Sequence, residues 1–273
     1  MQQQTVAAQP ASKHTADPIF SVYSPWPICD PSNGSSTSQI SGIHASPDLQ
    51  PHHLTAHPLD LHDHHNHQLP STTATMPNFL DTIKRSFVDV SVNKDKENAI
   101  NTTEFLEAAE SLTTLFDVLG SVAFQPVKND MLGNIKKIRD RQLAAPLESE
   151  TLQELVVNEL KTKKHVATEG LIWLVRGLDF TCIALSQNVQ LTTEELSVSF
   201  RNAYGSTLKP HHSFLVKPIF SAAMSACPYR KDFYVKLGDD EAAVQQGLTV
   251  WLKALETQVA ILKGFLDRPE AKW

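Results

Sequence analysis

From residue 77 to the C-terminus, apolar side chains recur three and four positions apart, and no stretch alternates with period two. This is the pattern of amphipathic helices and not of strands. Phe79, Ile83, Phe87 and Val90 give segment 78–90 one apolar face. Segment 101–119 opens with Asn101 and Glu104, an N-cap and N3 pair, and ends at Gly120, a natural C-cap. Segment 124–141 carries a stripe of Val127, Met131, Ile135 and Ile138. Segment 151–164 is a shorter amphipathic helix, and 166–187 is apolar on nearly all sides, which predicts a central helix. Segment 192–208 starts with Thr192 and Glu195, the spacing of a capping box. Pro210 suits the first turn of a helix over 211–226, with a kink expected at Pro218. Segment 227–237 contains a short turn-rich piece, PYRKDF, and precedes a long last helix over 239–267. The expectation is one all-α domain over 77–273 of about eight helices.

Residues 1–76 read differently. They are rich in Gln, Ser, Thr, Pro and His and lack apolar periodicity. Such a segment cannot bury enough surface to offset its ordering entropy, so a disordered tail is expected. Within it lies a His tract, 52–67. That tract would attract nickel or zinc in vitro, but its irregular spacing without cysteine defines no specific metal site. Met76 stands directly before the first helical pattern, where an alternative start would leave a compact domain.

The formal net charge is −6. The first 77 residues hold one lysine and five aspartates, so the remainder is nearly balanced. That excludes the basic footprint of a nucleic-acid binder. Cys29, Cys182 and Cys227 are widely spaced, neither a disulfide framework nor a zinc pattern, and the last two read as core residues of a reducing compartment. No charged n-region with an apolar h-region opens the chain. The long apolar stretch 171–185 contains Arg176 and Asp179 and is too short to span a bilayer. No GxSxG, HExxH, CxxC or Gly-rich phosphate loop is present. No cofactor is expected.

The candidate chemistry sits on the helix over 124–141. Asp130, Asn134, Lys137 and Arg141 follow at i, i+4, i+7 and i+11, within roughly 40° of one another on the helical wheel. A carboxylate, an amide and an ammonium in one column suit a polyhydroxylated ligand, because they accept, do both, and donate. The plainer reading is a solvated polar face of ordinary helical neighbours. Trp173, in the apolar central helix, is either core packing or a platform on which a sugar could stack. His212 is either a satisfied core or capping residue or a ligand contact. Arg176, one turn from Trp173, is better explained by pairing with a carboxylate than by binding a ligand.

Four separated runs then agree at once. NDMLGNIKKI (129–138), GLIWLVRGLDF (170–180), AYGSTLKPHHSFLV (203–216) and SACPYRKDF (225–233) resemble the glycolipid transfer protein family, in particular its fungal, heterokaryon-incompatibility HET-C type. The order and approximate spacing are similar over 77–265, and residues 1–76 have no counterpart. The resemblance implies a two-layer, all-α sandwich of eight helices that binds one glycosphingolipid of the glucosyl- or galactosylceramide class. The sugar would sit at a surface site of Asp130, Asn134, Lys137 and Trp173. His212 and Asp130 would read the ceramide amide, and the chains would lie in an apolar pocket between the layers. It implies a monomer in the cytoplasm, making transient contact with the cytosolic face of membranes, with no metal and no nucleic acid.

Two departures from the family pattern matter. Phe214 stands where mammalian members carry a Trp at the membrane-facing rim, so docking would lean on nearby Lys and Arg. The C-terminal DRPEAKW does not align, which leaves Trp273 without an assigned contact. Asn134 occupies the position at which the ceramide 1-phosphate carriers of the family place an Arg, so a neutral sugar is favoured over a phosphate. A ceramide 1-phosphate carrier and a glycolipid-dependent sensor of incompatibility or cell death are the alternatives. An enzyme with Asp130 and His212 as an acid–base pair lacks a nucleophile or second carboxylate in the motif.

Overall fold

The computed structural model describes residues 76–273. The tail expected at 1–76 lies outside the described residues except for Met76, and so do its His tract and Cys29. Ten α-helices follow one another in the described part: α1 (Phe79–Thr82), α2 (Thr102–Thr113), α3 (Leu115–Leu119), α4 (Gln125–Ala144), α5 (Leu152–Lys161), α6 (Val166–Gln190), α7 (Leu196–Ser206), α8 (Lys217–Ser225), α9 (Arg230–Leu237) and α10 (Glu241–Leu266). All but α1 and α3 are eight residues or longer. No helix among the described residues is long and apolar enough to cross a membrane.

The nearly all-round apolar α6 takes the central place its composition demands. It packs against α4, α5, α7 and α10, burying Leu171, Leu174, Leu178 and Leu185 completely. The close α4–α6 crossing depends on two glycines of α6. A Cβ at Gly170 would lie 3.2 Å from Lys137 Cβ and 3.3 Å from the Asn134 carbonyl oxygen, and one at Gly177 would touch Met131 at 3.5 Å. Small residues seven apart let the backbones approach along one stripe.

Several expected boundaries are corrected. Segment 78–90 is not one helix. After α1 the chain extends at Ile83 and forms a 3-10 turn at Phe87–Asp89. Tertiary and local acceptors take its amides: Arg85 N–H donates to Ser111 Oγ (3.1 Å) and Val88 N–H to Ser86 Oγ (3.2 Å). The apolar spacing instead lays this strap on α10, with Phe87 5.7 Å from the Trp251 ring. Segment 101–119 breaks at Thr114, where the Thr113 and Thr114 hydroxyls donate to the carbonyls of Glu110 and Ser111. Asn101 caps α2 as expected, but Glu104 accepts from Ser91 N–H (2.6 Å) rather than closing a box.

A two-stranded antiparallel ribbon, β1 (Val92–Asn93) and β2 (Ala99–Ile100), had no signal in the periodicity. It is made by turn chemistry: the Asn93 side chain accepts from Asp95 and Lys96 N–H, and Glu97 and Asn98 adopt positive φ. The capping box at Thr192 does not form. α7 starts only at Leu196, and the Glu195 carboxylate accepts from Arg230 N–H (2.8 Å). A full capping box is present at Thr151–Glu154. Finally, no helix spans 211–226. Lys209 N–H donates to the Tyr204 carbonyl and closes α7, residues 207–216 are turns, and α8 begins at Lys217 with Pro218 in its first turn, so Pro218 starts a helix instead of kinking one.

Candidate functional site

The α4 column is a hydrogen-bonded chain. Asn134 Nδ2 donates to Asp130 Oδ2 (3.3 Å), and Lys137 Nζ donates to Asn134 Oδ1 (3.1 Å). Asn134 is 1% exposed, while Asp130 and Lys137 are half-buried, so the column lies at the edge of the core and is not a solvated face. Arg141 does not join it; its guanidinium pairs with Glu148 at 2.7 Å. Burial pushes the Asp130 carboxyl up from the ordinary 3.8 to about 6, and the Lys137 ammonium pulls the other way.

Gly170 seats α6 directly on Asn134 and Lys137. One turn further along α6 stands Trp173, with the Arg176 guanidinium carbon 4.9 Å from its ring centre, a cation–π contact. The 207–216 turns bring His212 onto the same ring: the two stack at 5.9 Å and 19°. His212 is buried, and its pKa falls to about 4. Desolvation is the main cause, followed by the charges of His211, Arg176 and Lys217. Tyr204 OH lies 3.3 Å from His212 Nδ1. Asp130 and His212 make no hydrogen bond to each other.

From His212 the rings continue inward. Phe220 is 4.5 Å from His212 and stacks on Tyr204 at 5.2 Å; Phe180, Phe200, Phe124 and Phe116 follow at centroid steps of 6.0, 5.6, 6.4 and 6.1 Å. A polar edge thus opens into a continuous aromatic interior drawn from α3, α6, α7, α8 and the turn before α4. At the outer end, Phe214 and Leu215 are 78% and 67% exposed. They sit between the exposed Lys209 and Lys217 in sequence. Val122 is 91% exposed, and its 3-10 turn packs on α8.

The structure therefore brings together Asp130, Asn134 and Lys137 as one group and Trp173 with His212 as another, and leaves Phe214 on the surface. Gly170, Tyr204 and Leu215 were not singled out by sequence reasoning, although each lies inside one of the four quoted runs. Trp273, which had no assigned contact, stacks on His165 at the start of α6 at 4.7 Å. A cleft of about 710 Å³ lies elsewhere, between the ribbon, α5 and the C-terminal end of α10, and shares none of the site residues.

The family model for glycolipid transfer protein (GLTP) matches residues 100–239. A glycolipid transfer protein of Aureobasidium melanogenum is 70% identical over 195 residues, which cover 71% of this chain and 96% of that protein. The chain belongs to the glycolipid transfer protein family. The crystal structure of HET-C2, a fungal glycolipid transfer protein, superposes with a TM-score of 0.70 at 71% identity, covering 71% of this chain and 100% of that one. The GLTP-fold structure of FAPP2, which selects simple glycosphingolipids, gives 0.65 at 31% identity over 72% and 98%. Human pleckstrin homology domain-containing family A member 8 is 35% identical over 200 residues, of which the chain spans only 38% of that protein's length. Mouse ceramide-1-phosphate transfer protein shares the fold at 18% identity and a TM-score of 0.63, covering 71% of this chain and 98% of that one.

Proposed function

We propose that this chain binds one glycosphingolipid and carries it between membranes without altering it. The observation that carries the reading is the Asp130–Asn134–Lys137 chain set beside the stacked Trp173 and His212. The sugar stacks on Trp173 and exchanges hydrogen bonds with the column. Asp130 accepts from a hydroxyl and from the ceramide amide N–H, and His212 donates to the amide carbonyl. No polar group of the buried amide is then left unpaired. The ceramide chains pack along the aromatic interior, each buried CH2 contributing about 0.8 kcal/mol.

Charge favours a neutral headgroup. Arg141 is paired with Glu148, the Asp130 carboxylate acts on Lys137 along the column, and the amide of Asn134 between them carries no charge. The reaction class is exchange, with no catalytic residue: the column offers one carboxylate and no nucleophile. Contact with the cytosolic face of a membrane is made by Phe214 and Leu215, with Lys209 and Lys217 against the headgroups. The protein acts as a monomer in the cytoplasm and touches membranes peripherally.

The test is transfer of fluorescent glucosylceramide, galactosylceramide and ceramide 1-phosphate between vesicles by the full chain. Transfer of the two glycosylated lipids alone supports the reading. Preference for the phosphate lipid overturns the headgroup assignment, and binding without transfer converts the carrier into a glycolipid sensor.

A further inference from the structure

Resting on the reading above, we infer that Tyr204 is a positioning residue: its hydroxyl donates to His212 Nδ1 and thereby holds the imidazole in the Nε2–H tautomer that offers a donor to the lipid amide carbonyl. The geometry is an oxygen–nitrogen separation of 3.3 Å between two buried side chains on opposite sides of the turn that closes α7. Two assignments satisfy that distance. If Nδ1 carried the proton, it would donate to the phenol oxygen, and the tyrosine's own hydrogen would have no acceptor among the described residues. If the phenol donates, its hydrogen is paired with Nδ1 and the ring proton lies on Nε2, which has no protein acceptor but is not sealed from solvent or ligand. A hydroxyl hydrogen buried without an acceptor is costly, which selects the second arrangement.

The surroundings support it. The Tyr204 ring is pinned by stacking on Phe220 at 5.2 Å and by Phe180 edge-on at 6.4 Å, so the hydroxyl cannot swing away without breaking both contacts. The His212 ring is held between Trp173 and Phe220. Burial raises the Tyr204 pKa and lowers that of His212, which keeps a neutral phenol beside a neutral imidazole. Among the described residues, Nε2 has no protein partner and is the ring nitrogen left to meet a ligand. A second-partner hydrogen bond that fixes a histidine's tautomer is a general device wherever one ring nitrogen must be a dedicated donor or acceptor.

The experiment is ¹⁵N NMR of the imidazole nitrogens in the full chain at neutral pH without lipid, with the His212 signals assigned by their loss in His212→Asn. The parent should show Nε2 protonated and Nδ1 unprotonated and hydrogen-bonded. Tyr204→Phe should move the Nδ1 signal to that of an unbonded nitrogen and weaken glucosylceramide binding about tenfold, with the melting curve little changed. A protonated Nδ1 in the parent overturns the inference, and this readout does not depend on whether Tyr204→Phe folds. An unmoved Nδ1 signal in Tyr204→Phe, or undiminished binding by the folded variant, overturns it as well. A parent chain with the expected tautomer that binds no glycolipid refutes the proposed function and leaves the tautomer assignment standing.

Discussion

Asp130→Asn should make the lipid-free protein more stable while damaging its function. The Asp130 carboxylate is half-buried at the edge of the core, with Asn134 as its hydrogen-bond donor and Lys137 two turns away on the same helix. Its rise from 3.8 to about 6 corresponds to about 3 kcal/mol lost by the ionised folded state at neutral pH. The sign follows from proton counting. Near pH 4 and below, the folded carboxyl is protonated and the cost is absent. As pH rises towards and through 6, the unfolded chain releases its proton first, and folding loses that energy. An asparagine keeps an acceptor for Asn134 Nδ2 and carries no charge. Asp130→Asn should therefore exceed the parent by up to about 3 kcal/mol at pH 7.5, with the difference shrinking towards pH 4. Urea unfolding at several pH values measures this, and vesicle transfer run in parallel should show loss of glycolipid carriage. A variant no more stable than the parent at pH 7.5, or a gain that does not change with pH, would refute the account of Asp130 as a destabilising group kept for ligand binding.

Further outcomes are expected. Asp130→Val should abolish measurable glycolipid binding, since two ligand donors lose their acceptor at about 1–3 kcal/mol each, while far-UV circular dichroism stays that of the parent. Trp173→Ala should weaken binding by about tenfold or more, read from lipid titration, because the sugar loses its stacking face. In the parent, affinity should fall as pH drops through about 6, as Asp130 gains a proton and loses its acceptor role; an affinity flat from pH 7.5 to 5 would speak against this. Gly170→Ala should weaken binding by roughly fivefold, about 1 kcal/mol, with little change in melting temperature, because the helix-propensity gain offsets the crowding of Lys137 and Asn134. Deleting residues 1–75 should leave transfer unchanged, and Phe214→Ala should slow transfer while leaving affinity for dispersed lipid intact.

Long periodic elements were legible. α4, α6 and α10 are each 20 residues or longer, and the residues they bury follow their apolar positions. What escaped was decided by particular hydrogen bonds. The amide of Arg85 found Ser111 and so denied a helix to an ideal spacing. Lys209 N–H closed on the Tyr204 carbonyl, and two prolines placed the next helix at Lys217. The ribbon rests on Asn93 and on two residues at positive φ, a signal too local for any period.

The site divides in the same way. The Asp130–Asn134–Lys137 group is visible because helical spacing alone brings its members together. The meeting of Trp173 with His212 joins an α6 residue to an irregular turn, which no periodicity encodes; only the likeness of the four runs placed both in one site. Tyr204 lay within a quoted run but became meaningful only when its hydroxyl was seen at His212. Gly170 likewise reads as an ordinary glycine until the α4 backbone is found 3.3 Å from its missing Cβ.

The most direct test of the whole account is a crystal structure of the chain with glucosylceramide bound. The glucose ring is expected stacked on Trp173 and hydrogen-bonded to Asp130, Asn134 and Lys137, with the amide between Asp130 and His212 and the chains along Phe220, Phe180 and Phe200. A headgroup bound away from Trp173, for example in the cleft beside Arg268, would contradict it.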